Sequence, residues 1–146
     1  MFAQLLNRLS QPKPDPLDDG DARLALTALL VRVAKADGSY DDEERARILA
    51  IAHKRYGLSP FEAQALVKDA ETLEGEAPDT VRFTRAIKDA VPYEERMGVI
   101  EALWSVVMAD GVRDDEENAL LRLVANLLGV NDRDSNIARR AAEAGQ

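Results

Sequence analysis

Acidic residues at a fixed spacing from a glycine occur twice in this 146-residue chain. Ala36-Asp37-Gly38-Ser39-Tyr40-Asp41-Asp42-Glu43-Glu44 matches Ala109-Asp110-Gly111-Val112-Arg113-Asp114-Asp115-Glu116-Glu117 at seven of nine positions. The offset is 73 residues between Asp37 and Asp110 and 72 between Gly57 and Gly129, so two copies of helix, Asp-Gly turn, acidic cap and helix lie in one chain. Asp37, Asp41 and Glu44, and in the second copy Asp110, Asp114 and Glu117, add to main-chain carbonyls an all-oxygen donor set. A hard divalent ion, calcium or magnesium, prefers such a set and takes six or more oxygens.

Capping accounts for part of this pattern without any ion. Gly38 and Gly111 are expected to supply left-handed turns, Asp41 and Asp114 to accept from first-turn N–H groups, and Glu44 and Glu117 to complete capping boxes. Asp37 and Asp110 are left over. The periodicity puts each in the last turn of its helix, where the negative end of the dipole disfavours a carboxylate by about 0.3–1 kcal/mol. A bound cation reverses that sign. The loop is not an EF-hand, which needs glycine at its sixth position and a bidentate glutamate at its twelfth. Here glycine follows the first aspartate directly, and Glu44 is the eighth residue counted from Asp37. Two other uses of the same residues stay open: a metal-dependent hydrolase built on these carboxylates, and a purely structural helical adaptor that needs only the caps. No nucleophile-activating group accompanies the acids, which favours a non-enzymatic cation-binding and interaction module.

The elements that must position these residues are helical, because no stretch shows the strict alternation of a strand. A first main helix is expected from Asp21 to Asp37 and is apolar nearly all round, hence central. The next runs from the Asp41 cap to Tyr56 and stops at Gly57. Ser59, Pro60 and Glu62 give N-cap, N1 proline and N3 acid for a helix ending near Gly75. Asp79 or Thr80 caps a fourth, Pro92 opens a second central helix reaching about Asp110, and a sixth ends at Gly129. Ser135 to Ala144 forms a further short helix. The expected fold is therefore an all-α bundle of six to eight helices built on an internal duplication. Pro12, Pro14 and Pro16 set off residues 1–17 as an arm and linker, leaving 18–146 as the helical domain. If the two central helices pack antiparallel, the acidic turns lie at opposite ends; a crossed arrangement brings them together.

Composition narrows the function classes. With no cysteine and one histidine, thiolate zinc sites, disulfides and imidazole-rich metal sites are not supplied. A formal charge of −8 opposes nucleic-acid binding and favours cations or basic surfaces. The apolar runs Leu24 to Ala36 and Val99 to Ala109 are too short to span a membrane, and the start lacks the pattern of a signal peptide. A cytoplasmic location is expected. His53 is read as a boundary residue of its helix, Trp104 as core with its N–H directed to a carbonyl, and Arg45, Arg47, Lys54 and Arg55 as a solvated, ion-paired face.

The doubled Ala-Asp-Gly with glutamate six residues after the glycine, Ala36-Asp37-Gly38 to Glu44 and Ala109-Asp110-Gly111 to Glu117, resembles the tellurite-resistance TerB family. It is also similar to the region preceding the J-domain in DjlA-type co-chaperones. The resemblance covers about Asp21 to Val130. It implies an all-helical bundle with an acidic, metal-binding surface that works in stress response with protein partners. Membrane-associated partners of the TerC type are among those implied, which extends the expected location to the periphery of the inner membrane.

Overall fold

The computed structural model describes residues 2–11, 17–36, 40–107 and 115–144, with the side chains of Val107, Asp115, Glu116 and Glu117 left out. Among these residues there are eight α-helices and no strand: α1 (Ala3–Leu9), α2 (Asp19–Ala34), α3 (Asp42–Tyr56), α4 (Pro60–Glu76), α5 (Thr80–Ala90), α6 (Tyr93–Val107), α7 (Asp115–Leu127) and α8 (Asp132–Ala144). Short polar side chains open most of them. Asp18 accepts the Asp21 N–H and Asp41 the Glu44 N–H, each at 2.8 Å. Ser59 and Glu62 exchange both hydrogen bonds of a capping box. Asp79 accepts from Arg82 at α5, and Asn131 from Asp134 at α8. Such caps are worth about 1 kcal/mol each, because the first-turn donors have no intrahelical acceptor.

Two glycines close helices in the left-handed region, Gly57 at φ 63° and Gly129 at φ 76°. Past them the Leu58 N–H donates to the His53 carbonyl and the Val130 N–H to the Ala125 carbonyl, the wrap that satisfies late carbonyls at a helix end.

The nearly all-apolar α2 is central, as its pattern requires. Ala25, Leu26, Ala28 and Leu29 are fully buried, and the helix packs against α3, α4, α5, α6 and α7. Leu30 and Trp104 share its core. The Trp104 indole N–H donates to the Ser135 hydroxyl at 3.3 Å rather than to a carbonyl. The duplication is visible in the packing: α4 lies along α2 as α8 lies along α6, and α2 touches α7 as α6 touches α3. It therefore extends one helix further than the acidic motif. Gly57, Ser59 and Glu62 at the start of α4 correspond to Gly129, Asn131 and Asp134 at α8, and the buried Ala63 and Ala70 to Ser135 and Ala142. α5 is the connection between the two halves. α1 packs on α5 through buried Leu5 and Leu9, and Arg8 pairs with Asp21 at 3.0 Å.

Two expected boundaries are corrected. The helix expected to reach Asp37 ends at Ala34, where the Lys35 N–H bonds to Val31 and the Ala36 N–H bonds three residues back to Val33. Because α2 and α3 pack on each other, the chain needs several non-helical residues to reverse between them. The last helix starts at Asp132 rather than Ser135, because Asn131 caps it.

Candidate functional site

The first acidic turn joins α2 to α3, and α4 runs beside it. Asp41 sits where its spacing put it, as N-cap of α3 in extended backbone with φ −87° and ψ 174°. Glu44, three residues on, is 4% exposed. Asp37, Gly38, Asp110, Gly111 and Asp114 lie outside the described residues, as does the side chain of Glu117, whose backbone is in the first turn of α7. The left-handed turns expected at Gly38 and Gly111 fall in the same segments. The helix end that was to carry Asp37 lies three residues earlier, and the residue that follows it is Lys35, a cation suited to the negative end of the dipole.

Charges from α2, α3 and α4 converge on this turn. Arg45 donates to both carboxylate oxygens of Glu71, at 3.2 and 3.4 Å. That pairing raises the Arg45 pKa further. Glu74, buried on the next turn of α4, receives Lys35 at 3.5 Å and Arg32 at 4.0 Å. Arg32 also donates to the carbonyls of Glu74 and Pro78, at 2.9 and 2.6 Å, and stacks 5.5 Å from the Phe83 ring centre. Tyr40 completes the group, with the Lys35 ammonium 5.8 Å from its ring centre. Burial pushes the Tyr40 phenol well above the ordinary tyrosine range, and the nearby negative charge of Glu71 adds to the shift.

Lys35, Arg32, Glu71 and Glu74 were not singled out from sequence. Their partners lie 26 to 42 residues away for the Arg45–Glu71 pair and the Arg32–Glu74 contact, beyond any helix-face rule. The faint signal was that Glu71 and Glu74 each follow directly after a buried apolar residue of α4, Ala70 and Leu73.

An all-oxygen cation site needs six or more donors. Of the six acids proposed from spacing, the described side chains are Asp41 and Glu44, both at the N-terminus of α3. Among the described residues no three acidic or histidine side chains are grouped as metal ligands. Glu71 and Glu74, the nearest further carboxylates, are engaged by arginine and lysine. A divalent ion at this turn would therefore rest on Asp41, Glu44 and the motif residues outside the described set.

His53 is exposed, and its Nδ1–H donates to the Leu58 carbonyl, so it helps close the end of α3. No helix among the described residues is long and apolar enough to cross a membrane.

A model of the family described as Tellurite resistance protein TerB matches residues 23–140. That is most of the chain, and the chain belongs to the TerB family. No curated protein and no solved structure matches it.

Proposed function

Starting from membership of this family, we propose that the chain is a non-enzymatic helical module of tellurite resistance and the stress response. In this reading its duplicated acidic turns bind a divalent cation, calcium or magnesium. The module acts in the cytoplasm by docking to protein partners, membrane-associated ones of the TerC type among them. The supporting observation is the unlike fate of two glutamates at the same helical position. Glu62, third residue of α4, is exposed and returns its carboxylate to the Ser59 N–H as an ordinary capping acid. Glu44, third residue of α3, follows an equally good cap but is withdrawn from solvent. A capping role alone does not require a glutamate at that position to be withdrawn from solvent, as the exposed Glu62 shows.

The test is thermal melting of chelator-treated protein with millimolar calcium, magnesium or manganese. Cation binding to the folded state adds RT ln(1 + [L]/Kd), about 2.7 kcal/mol at a hundredfold excess over Kd. The melting temperature of the wild type should rise. Asp37→Asn, Asp110→Asn and Glu44→Gln, which keep side-chain size, should abolish the rise. Asp41→Ala should in addition lower stability in chelator by about 0.5–2 kcal/mol, because the cap is lost with or without the ion. A wild-type melting temperature unmoved by all three ions would leave only the capping role.

A further inference from the structure

At the end of α2 remote from the acidic turn, the first residues of α2 and α6 and the last turn of α3 line a cavity of about 550 Å³ that is open to solvent on one side. Its walls include Arg23, Arg55, Tyr56 and Glu95. The volume is in the range of small-ligand sites and far exceeds a single water. The Arg23 side chain makes no hydrogen bond and no ion pair among the described residues; the Glu62 carboxylate feels its charge without bonding to it. Its guanidinium stacks 5.1 Å from the centre of the Tyr56 ring, and its Nε is buried without an acceptor. Asp19, one turn earlier on the same helix and also on the cavity wall, forms no ion pair with it. A guanidinium carries five donors, and a buried donor without an acceptor is costly.

The duplication supplies an internal control. Arg96 of α6 stands 73 residues after Arg23, at the equivalent place in the second half. Its Nη1–H donates to the Leu128 carbonyl at the end of α7, and its guanidinium stacks on Tyr93 at 5.2 Å. The Nε of Arg96 also lacks a partner, but the fork as a whole is anchored to a helix end. The same residue in the same position is thus anchored in one half and left facing a cavity in the other.

The second arginine of the cavity is held in place by a missing side chain. Gly98 lies in the interior of α6, where glycine costs about 1 kcal/mol relative to alanine. A methyl group there would overlap the Arg55 guanidinium. Lying across that gap, Arg55 reaches the Glu95 carbonyl at 3.4 Å and its carboxylate at 3.5 Å, and it stacks on Tyr56 at 5.8 Å. Tyr56 is therefore flanked by two cations, one paired and one unpaired.

The geometry points to a binding site for a small oxyanion, a phosphate or carboxylate group, held by Arg23 and Arg55, whose guanidiniums the Tyr56 ring positions by stacking. Arginine forks match such groups with two parallel hydrogen bonds. Glu95 competes for Arg55 in the free protein and would be displaced in part on binding. This site is separate from the proposed cation site, since about 16 Å of helix rise separates Arg23 from Ala34.

Calorimetric titration of the full chain with inorganic phosphate and, separately, succinate tests this, with chloride at matched ionic strength as the control. Saturable binding of either anion is expected, and the tighter of the two identifies the headgroup chemistry. Arg23→Gln should weaken it about tenfold or more, the value of one charge-assisted contact. Glu95→Gln should tighten it by freeing Arg55. Gly98→Ala removes no charge but displaces Arg55 and should weaken it several-fold. Arg96→Gln, which alters the equivalent arginine, should leave binding unchanged. If Arg23→Gln fails to fold by circular dichroism, Arg23→Lys keeps the charge and loses the fork, and should still weaken binding. No saturable binding of either anion, or binding undiminished in the Arg23 and Gly98 variants, would overturn the assignment.

Discussion

The two ends of the α2–α3 hairpin use similar residues to opposite effect. At the turn, Arg32, Lys35 and Arg45 each meet a carboxylate of α4, and every one of these basic groups is engaged. At the far end Arg23 and Arg55 flank one tyrosine, and of the two Arg55 alone is in an ion pair among the described residues. Residue type does not distinguish the ends. What separates them is the neighbour: α4 brings Glu71 and Glu74 alongside the turn, whereas the opening of α6 brings one glutamate and a gap at Gly98. A charged helix end thus becomes a structural tie where a partner helix supplies the opposite charge, and a vacant donor where it does not.

Breaking the stronger end should have the largest effect. Glu74→Ala takes the carboxylate from Arg32 and Lys35, leaving Arg32 its bonds to the main-chain carbonyls of residue 74 and Pro78. Discounting the cost of an unpaired buried charge for the partial exposure of both cations, the expected loss is about 2 kcal/mol in urea denaturation. Arg23→Gln, by contrast, removes only a stacking contact and should cost no more than about 0.5–1 kcal/mol in anion-free buffer. Equal losses would erase the distinction between the two ends.

The far end also holds the turn at Gly57, whose φ of 63° an L-residue adopts only with strain. No atom lies within 4 Å of an added methyl group there, so Gly57→Ala isolates the backbone term and should destabilise by about 1 kcal/mol. Gly129→Ala, its counterpart at the end of α7, meets the Lys88 side chain at 3.1 Å and the Arg96 guanidinium at 3.3 Å as well. Its cost should be equal or slightly larger, because a lysine stem can move aside. A cost near zero at Gly57 would mean that the end of α3 refolds around the new residue.

The smallest effect sharpens the electrostatics of the turn. The folded-state pKa of Tyr40 is raised, chiefly by burial, so the folded protein holds this proton more tightly than the unfolded chain does. The stability it contributes is fully present below about pH 10, the unfolded tyrosine value, and is lost as pH rises toward the folded one. Alkaline melting curves of the wild type should therefore fall more steeply above about pH 10 than those of Tyr40→Phe. Parallel curves would show that Tyr40 ionises as an ordinary surface phenol.

Local chemistry was legible from the sequence wherever one residue acts on another three or four positions away. The Asp41, Ser59 and Asp79 caps, the stops at Tyr56–Gly57 and Gly129, and the central place of the all-apolar α2 and α6 are of this kind, since a helix turn brings those positions together whatever surrounds them. The duplication was legible too, from residue identity alone. Tertiary structure decided the rest. The early end of α2 at Ala34 follows from packing α3 back against it. The burial of Glu44, against the exposure of Glu62 at the same helical position, follows from which helix lies alongside. The ties of Arg45 to Glu71 and Trp104 to Ser135, and the seat of Arg55 on Gly98, join residues 26 to 43 positions apart. Over such separations side-chain type says what a group can bind, and only the folded chain brings a partner within reach or leaves a cavity there.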